Sequence, residues 1–248
     1  MKRNCKISVA MATYNGGKYI KEQLDSIIKQ LDKNDEIIIS DDGSTDNTID
    51  IIKSYNDKRI KLFDGMHDGV KSNFANAINK CTGEYIFLCD QDDVWLDNKV
   101  EVILNIFDKK KCTCILHDCE IFNSNNNKVI IPSFMNYRRS KKGIINNIIR
   151  NSYIGCCMCF KSSIKDKILP IPNNIEMHDQ WIGILCEEYG SVEFLKDVLI
   201  RYRRHGNNVS SLKHYPLTRM IKNRVNLIIN LIFRKAKYGK SSSFDVYI

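Results

Sequence analysis

The sequence predicts an α/β domain: a mainly parallel sheet flanked by helices, with a basic amphipathic helix at the C-terminal end. Three observations predict it. From Lys6 to Phe107, short β-rich runs alternate with stretches of helical periodicity. Clusters of Asp, Asn and Gly follow three of those runs, where open parallel sheets carry their ligand loops. Finally, the net charge of +9 is concentrated at one end, since residues 213–248 hold eight Lys/Arg against the single acid Asp245.

The elements follow in order. Lys6 to Ala12 is apolar enough for a buried strand, and Tyr14-Asn15-Gly16-Gly17 is a turn. Ile20, Leu24, Ile27, Ile28 and Leu31 then recur at helical spacing. Glu36 to Ser40 reads as a second strand, and Asp41 to Asp46 as a loop of turn and N-cap residues. A helix to about Tyr55 and a strand from Ile60 to Phe63 come next, then a helix marked by Phe74, Ala77, Ile78 and Cys81 and ended by Gly83. Tyr85 to Cys89 is a fourth strand, followed by an acidic loop and a helix carrying Val100, Ile103, Leu104 and Phe107. Beyond it, Ser124 to Lys128 is a polar turn and Arg138 to Lys142 a basic loop. Cys156 to Lys161 is a strand, and an apolar helix runs from beyond Glu176-Met177-His178-Asp179-Gln180-Trp181 to Tyr189. Val192–Leu195 and Val198–Tyr202 are two more strands.

Bulk properties bound the rest. A chain of 248 residues with 43% hydrophobic content and four prolines supports one large domain, expected over residues 1–212, and a basic tail over 213–248. Residues 1–120 are expected to form its ligand-binding half and 121–212 the other. Met1-Lys2-Arg3-Asn4 runs straight into the first strand without a secretory signal. No apolar run approaches the ~20 residues that span a bilayer. These features predict a cytoplasmic protein, and the ten cysteines are expected to be reduced core thiols. Cys112, Cys114 and Cys119, and Cys156, Cys157 and Cys159, lack the paired Cys-x-x-Cys arms of a structural zinc site.

The chemistry centres on Cys89-Asp90-Gln91-Asp92-Asp93-Val94-Trp95. Three carboxylates at the end of a buried strand raise one another's pKa unless a cation sits among them. Hard oxygen donors suit Mn²⁺ or Mg²⁺, and such sites are completed by waters and substrate phosphates. The competing reading is a solvated acidic turn. The first strand is followed by no Gly-x-Gly-x-x-Gly, and no Gly-Lys-Ser/Thr occurs, so glycine-rich phosphate loops are excluded.

Ser8 to Gly16, Ile39 to Thr48 and Cys89 to Trp95 together resemble the family 2 glycosyltransferases, over roughly residues 6–210. His178-Asp179-Gln180-Trp181 and Tyr202-Arg203-Arg204-His205-Gly206 are most similar to the rhamnosyltransferase-like branch that builds bacterial surface polysaccharides. The resemblance implies a GT-A-like fold and an inverting, metal-dependent transfer of one sugar, rhamnose or another hexose. It implies a dTDP- or UDP-linked donor and a glycan or lipid-linked acceptor. The Gln-x-x-Arg-Trp signature of processive synthases is absent.

The resemblance also implies roles. Thr13, Tyr14 and Asn15 would border the nucleotide, with Asp41 or Asp42 accepting the pyrimidine N3–H; either acid also suits helix capping. Asp90 would face the ribose or the metal and Asp92 would bind the metal. Lys71 and Arg203 would lie near the diphosphate, and His205 near the diphosphate or the metal. Asp179 would be the base that takes the acceptor proton, its alternative being a helix N-cap. Asp93, Trp95, His178 and Trp181 would be acceptor-side. A nucleotidyltransferase and an inactive sugar-nucleotide-binding membrane adaptor are the rival readings.

The tail reads as amphipathic between residues 217 and 237. Met220, Ile221, Val225, Ile228, Ile229 and Ile232 fall on one side. Arg219, Lys222, Asn223, Asn226, Asn230, Arg234 and Lys237 recur on the other. The pattern predicts contact with an anionic membrane surface at the inner face of the cell membrane; its rival is an apolar face packed on the domain or on a second subunit. No nucleic-acid-binding motif accompanies the charge.

Overall fold

The computed structural model describes residues 5–206, 208 and 216–239. Met1 to Asn4, the N-terminal run read as free of a secretory signal, Asn207 and residues 209–212 lie outside the described residues, as do residues 213–215 and 240–248 of the expected tail. The chain order is β1 (Ile7–Thr13), α1 (Ile20–Ile28), β2 (Glu36–Asp41), α2 (Thr48–Ser54), β3 (Ile60–Asp64), α3 (Gly69–Lys80), β4 (Tyr85–Asp90), β5 (Val94–Trp95) and α4 (Lys99–Lys109). Then come β6 (Cys114–Asn123), β7 (Val129–Ile131), α5 (Phe134–Arg138), α6 (Ile144–Ile149), β8 (Met158–Lys161), α7 (Lys165–Ile168), α8 (His178–Glu188), β9 (Val192–Arg204) and α9 (Leu217–Tyr238).

One mixed sheet organises the molecule, in the order β3-β2-β1-β4-β8-β6-β9-β5, with β7 paired to β6. The first four strands are parallel. All seven residues of β1 and all six of β2 are buried, which is why these strands read as continuous apolar runs rather than alternating ones. The chain winds outward from β1 to β2 and β3, then returns to place β4 on the other side of β1. The loops after β1 and β4 therefore diverge and leave a crevice at their carboxyl ends. Register puts Thr13 opposite Asp41 and Ala12 opposite Asp90, so the three polar clusters meet at one edge.

The second half departs from the pattern expected of it. The two strands expected in 192–202 are the single strand β9. Lys196-Asp197, which breaks the apolar run, is taken up by bulges where β9 advances past β6: Leu116 pairs with Phe194, but Asp118 with Val198. Strand β6 carries Cys, His, Asp and Glu among its apolar residues and escapes a hydrophobic-run search, yet it lies between β8 and β9. Residues 155–157 form a 3₁₀ turn ahead of β8 rather than its first residues. Helix α8 starts at His178, so Asp179 sits in its first turn, with Met177 at the N-cap position.

Helix α9 packs on the domain through its polar side, against the rival reading in which its apolar face would do so. Its Asn and Arg side chains face the domain. Asn223 donates to Glu176, Asn226 to the Asn174 carbonyl, and Arg234 to the carbonyls of Lys167, Leu169 and Pro170. Leu217, Ile221, Val225, Ile228, Ile229 and Ile232 are exposed instead. Among the described residues no helix is long and apolar enough to cross a membrane.

Candidate active site

The crevice is a cavity of about 1590 Å³ lined from both halves of the chain. One wall is built from the loops after β1, β2 and β4. Asn15 adopts a positive φ of 48°, and its side-chain carbonyl accepts from the Thr45 and Asp46 N–H groups, tying the first two loops together. Gln91 ties the first to the third: its Oε1 accepts from the Tyr14 N–H and its Nε2 donates to the Tyr14 carbonyl, both at 2.9 Å. A Cβ at Gly16 would stand 2.2 Å from Gln91 Oε1, so any larger residue there would push the Gln91 amide off its Tyr14 hydrogen bonds. Tyr14 is left with its ring 56% exposed over the cavity.

The two acids after β2 have different environments. Asp41 is saturated: Oδ1 accepts from the Gly43 and Ser44 N–H groups, and Oδ2 from the Thr13 and Ser44 hydroxyls. Asp42 lines the cavity. Its Oδ2 accepts from the Gly69 N–H, and its Oδ1 is buried without a partner. A buried carboxylate oxygen left unpaired costs on the order of 1–3 kcal/mol, which a donor on a ligand would recover.

The acidic loop after β4 is held from below. Gln23 Nε2 donates to the Asp90 carbonyl, and the short β5 pairs with β9. That pairing brings the end of β9 to the loop. Asp92 Oδ2 lies 2.6 Å from His205 Nε2, and the imidazole stacks on Tyr19 at 4.9 Å. Asp93 is fully buried and accepts from the Arg203 N–H, so it anchors the strand and does not line the cavity. Burial, then the charges of Asp92 and Asp179, push the Asp90 carboxyl up to about 7.

These residues fit a hard divalent cation. Asp90, Asp92 and His205 face the cavity together, and burial, then the charges of Asp92 and Asp179, disfavour an ionised Asp90 in the absence of a cation. Asp93 and the Cys156 thiol also lie near Asp90, with ligand atoms of the three within 4.8 Å of one another. A hydrogen bond with Cys157 and then burial keep that thiol protonated, so of this trio the two carboxylates are the candidate donors, Asp93 through its Oδ2, which is buried without a partner.

Across the cavity stands Asp179. Its Oδ1 accepts from Asn151 Nδ2 at 3.2 Å and from the Gln180 N–H at 2.5 Å, and burial raises it to about 6. Its charge is felt at Asp90, so the two carboxylates share one electrostatic environment. His178 precedes it, stacked on Phe74 at 4.1 Å, with both ring nitrogens buried and unpartnered; burial lowers it to about 3, keeping it neutral.

Besides Asp93, which was expected on the acceptor side and is buried, four sequence expectations need correction. Trp181 does not reach the acceptor side: it is fully buried, and its indole N–H donates to the Ile168 carbonyl. Trp95 is likewise core, packed against Phe87 with Lys99 over its ring. Lys71 lines the cavity but spends its ammonium on the carbonyls of Asn173 and Ile175. Arg203 is buried, donating to the Asp92 carbonyl and to Glu22, so it braces the acidic loop rather than facing a diphosphate. Tyr19, Gln91 and Asn151 were missed. Of these only Gln91, inside the acidic motif, carried a sequence signal.

A switch-point crevice with a paired-acid loop, an adjacent imidazole and a separate buried carboxylate defines a group-transfer enzyme for a phosphorylated ligand. Residues 8–169 match the family model described as Glycosyl transferase family 2. An uncharacterised glycosyltransferase of Nostoc is 26% identical over 97% of this chain and 85% of its own length. A UDP-Glc:α-D-GlcNAc-diphosphoundecaprenol β-1,3-glucosyltransferase of Escherichia coli, WfgD, is 27% identical over 86% and 83%. Among solved structures, S. aureus TarS 1–349 in complex with UDP-GlcNAc superposes with a TM-score of 0.69 at 18% identity, covering 98% of this chain and 76% of that one. The mannosyltransferase PcManGT of Pyrobaculum calidifontis, in complex with GDP-Man and Mn²⁺, gives 0.61 at 16%, covering 96% and 66%. The chain belongs to glycosyl transferase family 2 and has the GT-A fold. It is a glycosyltransferase that uses a nucleotide-sugar donor.

Proposed function

We propose that the protein is an inverting, metal-dependent enzyme that moves one hexose, rhamnose or another, from a UDP- or dTDP-linked donor. Its acceptor is a lipid-linked glycan of bacterial surface-polysaccharide assembly. The observation that carries this reading is the pairing, across one cavity, of Asp179 with the Asp90–Asp92–His205 cluster. Inversion needs one base on the acceptor and charge compensation on the leaving diphosphate, and no second carboxylate nucleophile. Asp179, oriented by Asn151, takes the proton from the attacking hydroxyl. Asp90, Asp92 and His205 would hold Mn²⁺ or Mg²⁺, which supplies positive charge beside the departing diphosphate.

Asp42 Oδ1 accepts the pyrimidine N3–H, and Tyr14 offers its ring to the base. Residues 1–120 serve as the nucleotide side and 121–212 as the acceptor side. The named acceptor of the E. coli relative, a diphosphoundecaprenol-linked sugar, supports a lipid-linked substrate. The outward apolar stripe of α9 supports peripheral contact with the inner face of the membrane. A donor screen tests the whole: dTDP-rhamnose against UDP-hexoses, with and without Mn²⁺. The expected product is free nucleoside diphosphate; release of pyrophosphate instead would mean nucleotidyl transfer.

A further inference from the structure

The same cavity has a second, differently built end. Arg138, Arg150 and Arg224 line it, away from the acidic loop. None of the three forms an ion pair among the described residues. Arg138 donates to the Asn151 carbonyl and Arg224 to the Ile149 carbonyl, and the Arg150 guanidinium has no hydrogen bond among the described residues. Arg138 and Arg150 lie close enough for the charge of one to act on the other, and Arg138 also feels Asp179. Uncompensated guanidinium groups gathered beside the base are unfavourable without an anion.

This basic end opens onto an apolar ledge. Helix α6 ends with Ile149 immediately before Arg150, and α9 is fastened to it through Arg224. Ile145 and Ile149 are 75% and 60% exposed, and Ile221 and Val225 on the adjoining helix are 52% and 48% exposed. On α9, Arg219, Met220, Asn223, Arg224 and Leu227 face the cavity, while Ile221, Val225 and Ile228 point outward. Arg224 stands at the boundary between the two faces. Guanidinium groups inside the rim and isoleucines outside it match a ligand with an anionic head and an apolar tail.

We infer that Arg138, Arg150 and Arg224 bind the diphosphate of a lipid-diphosphate-linked acceptor, with its hydrocarbon chain running out over Ile149, Ile221 and Val225. The inference rests on the reading of the cavity as a glycosyltransferase site and adds where the acceptor enters and by which group it is held. It places the lipid-proximal sugar next to Asp179.

Binding of simple probes to the full-length protein tests it, measured calorimetrically with UDP and Mn²⁺ saturating. Farnesyl diphosphate has both head and tail, inorganic pyrophosphate only the head, and farnesol only the tail. Farnesyl diphosphate is expected to bind alongside UDP at least tenfold more tightly than pyrophosphate, with farnesol weaker still. Arg150→Gln, at an exposed side chain that holds nothing in place, should weaken both diphosphates about tenfold or more. Ile221→Ser with Val225→Ser should reduce farnesyl diphosphate to the level of pyrophosphate. Displacement of either diphosphate by UDP, indifference to Arg150→Gln, or no gain from the farnesyl chain would overturn the inference. So would a dimer that Ile221→Ser with Val225→Ser dissolves without effect on the probes, because the ledge would then belong to a second copy. A UDP titration of the wild type and of Asp92→Asn separates the two readings: normal UDP binding with failed probes removes only this inference, and absent UDP binding removes the proposed function.

Discussion

Replacing Asp90 with Asn should stabilise the protein at alkaline pH while abolishing most of its turnover. The Asp90 carboxyl is raised from 3.8 to about 7 by burial and then by the charges of Asp92 and Asp179. The sign follows from linkage. A folded-state pKa above the unfolded one means that the folded protein holds the proton more tightly. That advantage is complete below the unfolded pKa and is lost as pH rises through about 7. A shift of roughly three units corresponds to about 4 kcal/mol at full strength. The side chain opens partly to the cavity and shares its shift with two other acids, so about half of that is a realistic penalty. Asn removes the charge and keeps the shape. For a chain of this length about 2 kcal/mol raises Tm by about 4–8 °C. Calorimetry in EDTA at pH 8 and pH 5 is the assay. The gain should be full at pH 8 and fall to roughly a third of that at pH 5, where Asp90 is protonated in the folded chain but would still ionise on unfolding. Added Mn²⁺ should raise the wild-type Tm more than that of the variant. An equal Tm change at both pH values, or a loss at pH 8, would refute the electrostatic account.

Asp179→Asn should lower kcat by about 10²–10⁴-fold with donor KM little changed, as steady-state kinetics would show. In the wild type, kcat should rise with pH through about 6, where Asp179 loses its proton, and a flat profile from pH 5 to 8 would exclude it as the base. Asp42→Asn should weaken UDP binding about tenfold and erode its preference over CDP, measured by titration calorimetry, because an amide donates as well as accepts. Ile221→Ser with Val225→Ser and Ile228→Ser should release the protein from sedimenting anionic vesicles without changing its circular dichroism.

The first half of the fold was legible because its signals are local. Ile37-Ile38-Ile39 and Tyr85 to Cys89 are short apolar runs closed by acids, and Ile20, Leu24 and Ile27 fall at helical spacing; each element appears within a few residues of its expected limits. The second half was legible only in part: β8, α8 and the span of β9 were expected, while β6 was not. His117 and Asp118 are buried in β6, and Asp118 is held by the Ser133 hydroxyl and the Met135 N–H, partners that no periodicity reveals. Around the cavity, the acids and His205 could be found because strand ends gather them. The roles of Arg203 and Lys71 could not, since Arg203 meets Glu22 and Lys71 meets Asn173 only through distant chain crossings. Trp181 sits beside the motif in sequence, but its N–H is claimed by Ile168.

Helix α9 is fastened to the domain largely through backbone oxygens: the carbonyls of Ile149, Lys167, Leu169, Pro170 and Asn174 receive Arg224, Arg234 and Asn226. A carbonyl is the same acceptor whatever side chain its residue carries. Much of the surface beneath the helix can therefore drift in sequence without letting go of it, while a few Asn and Arg positions on the helix, with Leu227, Lys235 and Tyr238, carry the recognition. In evolutionary terms α9 behaves like a plug with fixed pins and a tolerant socket, free to change its outward face to suit a different membrane or acceptor.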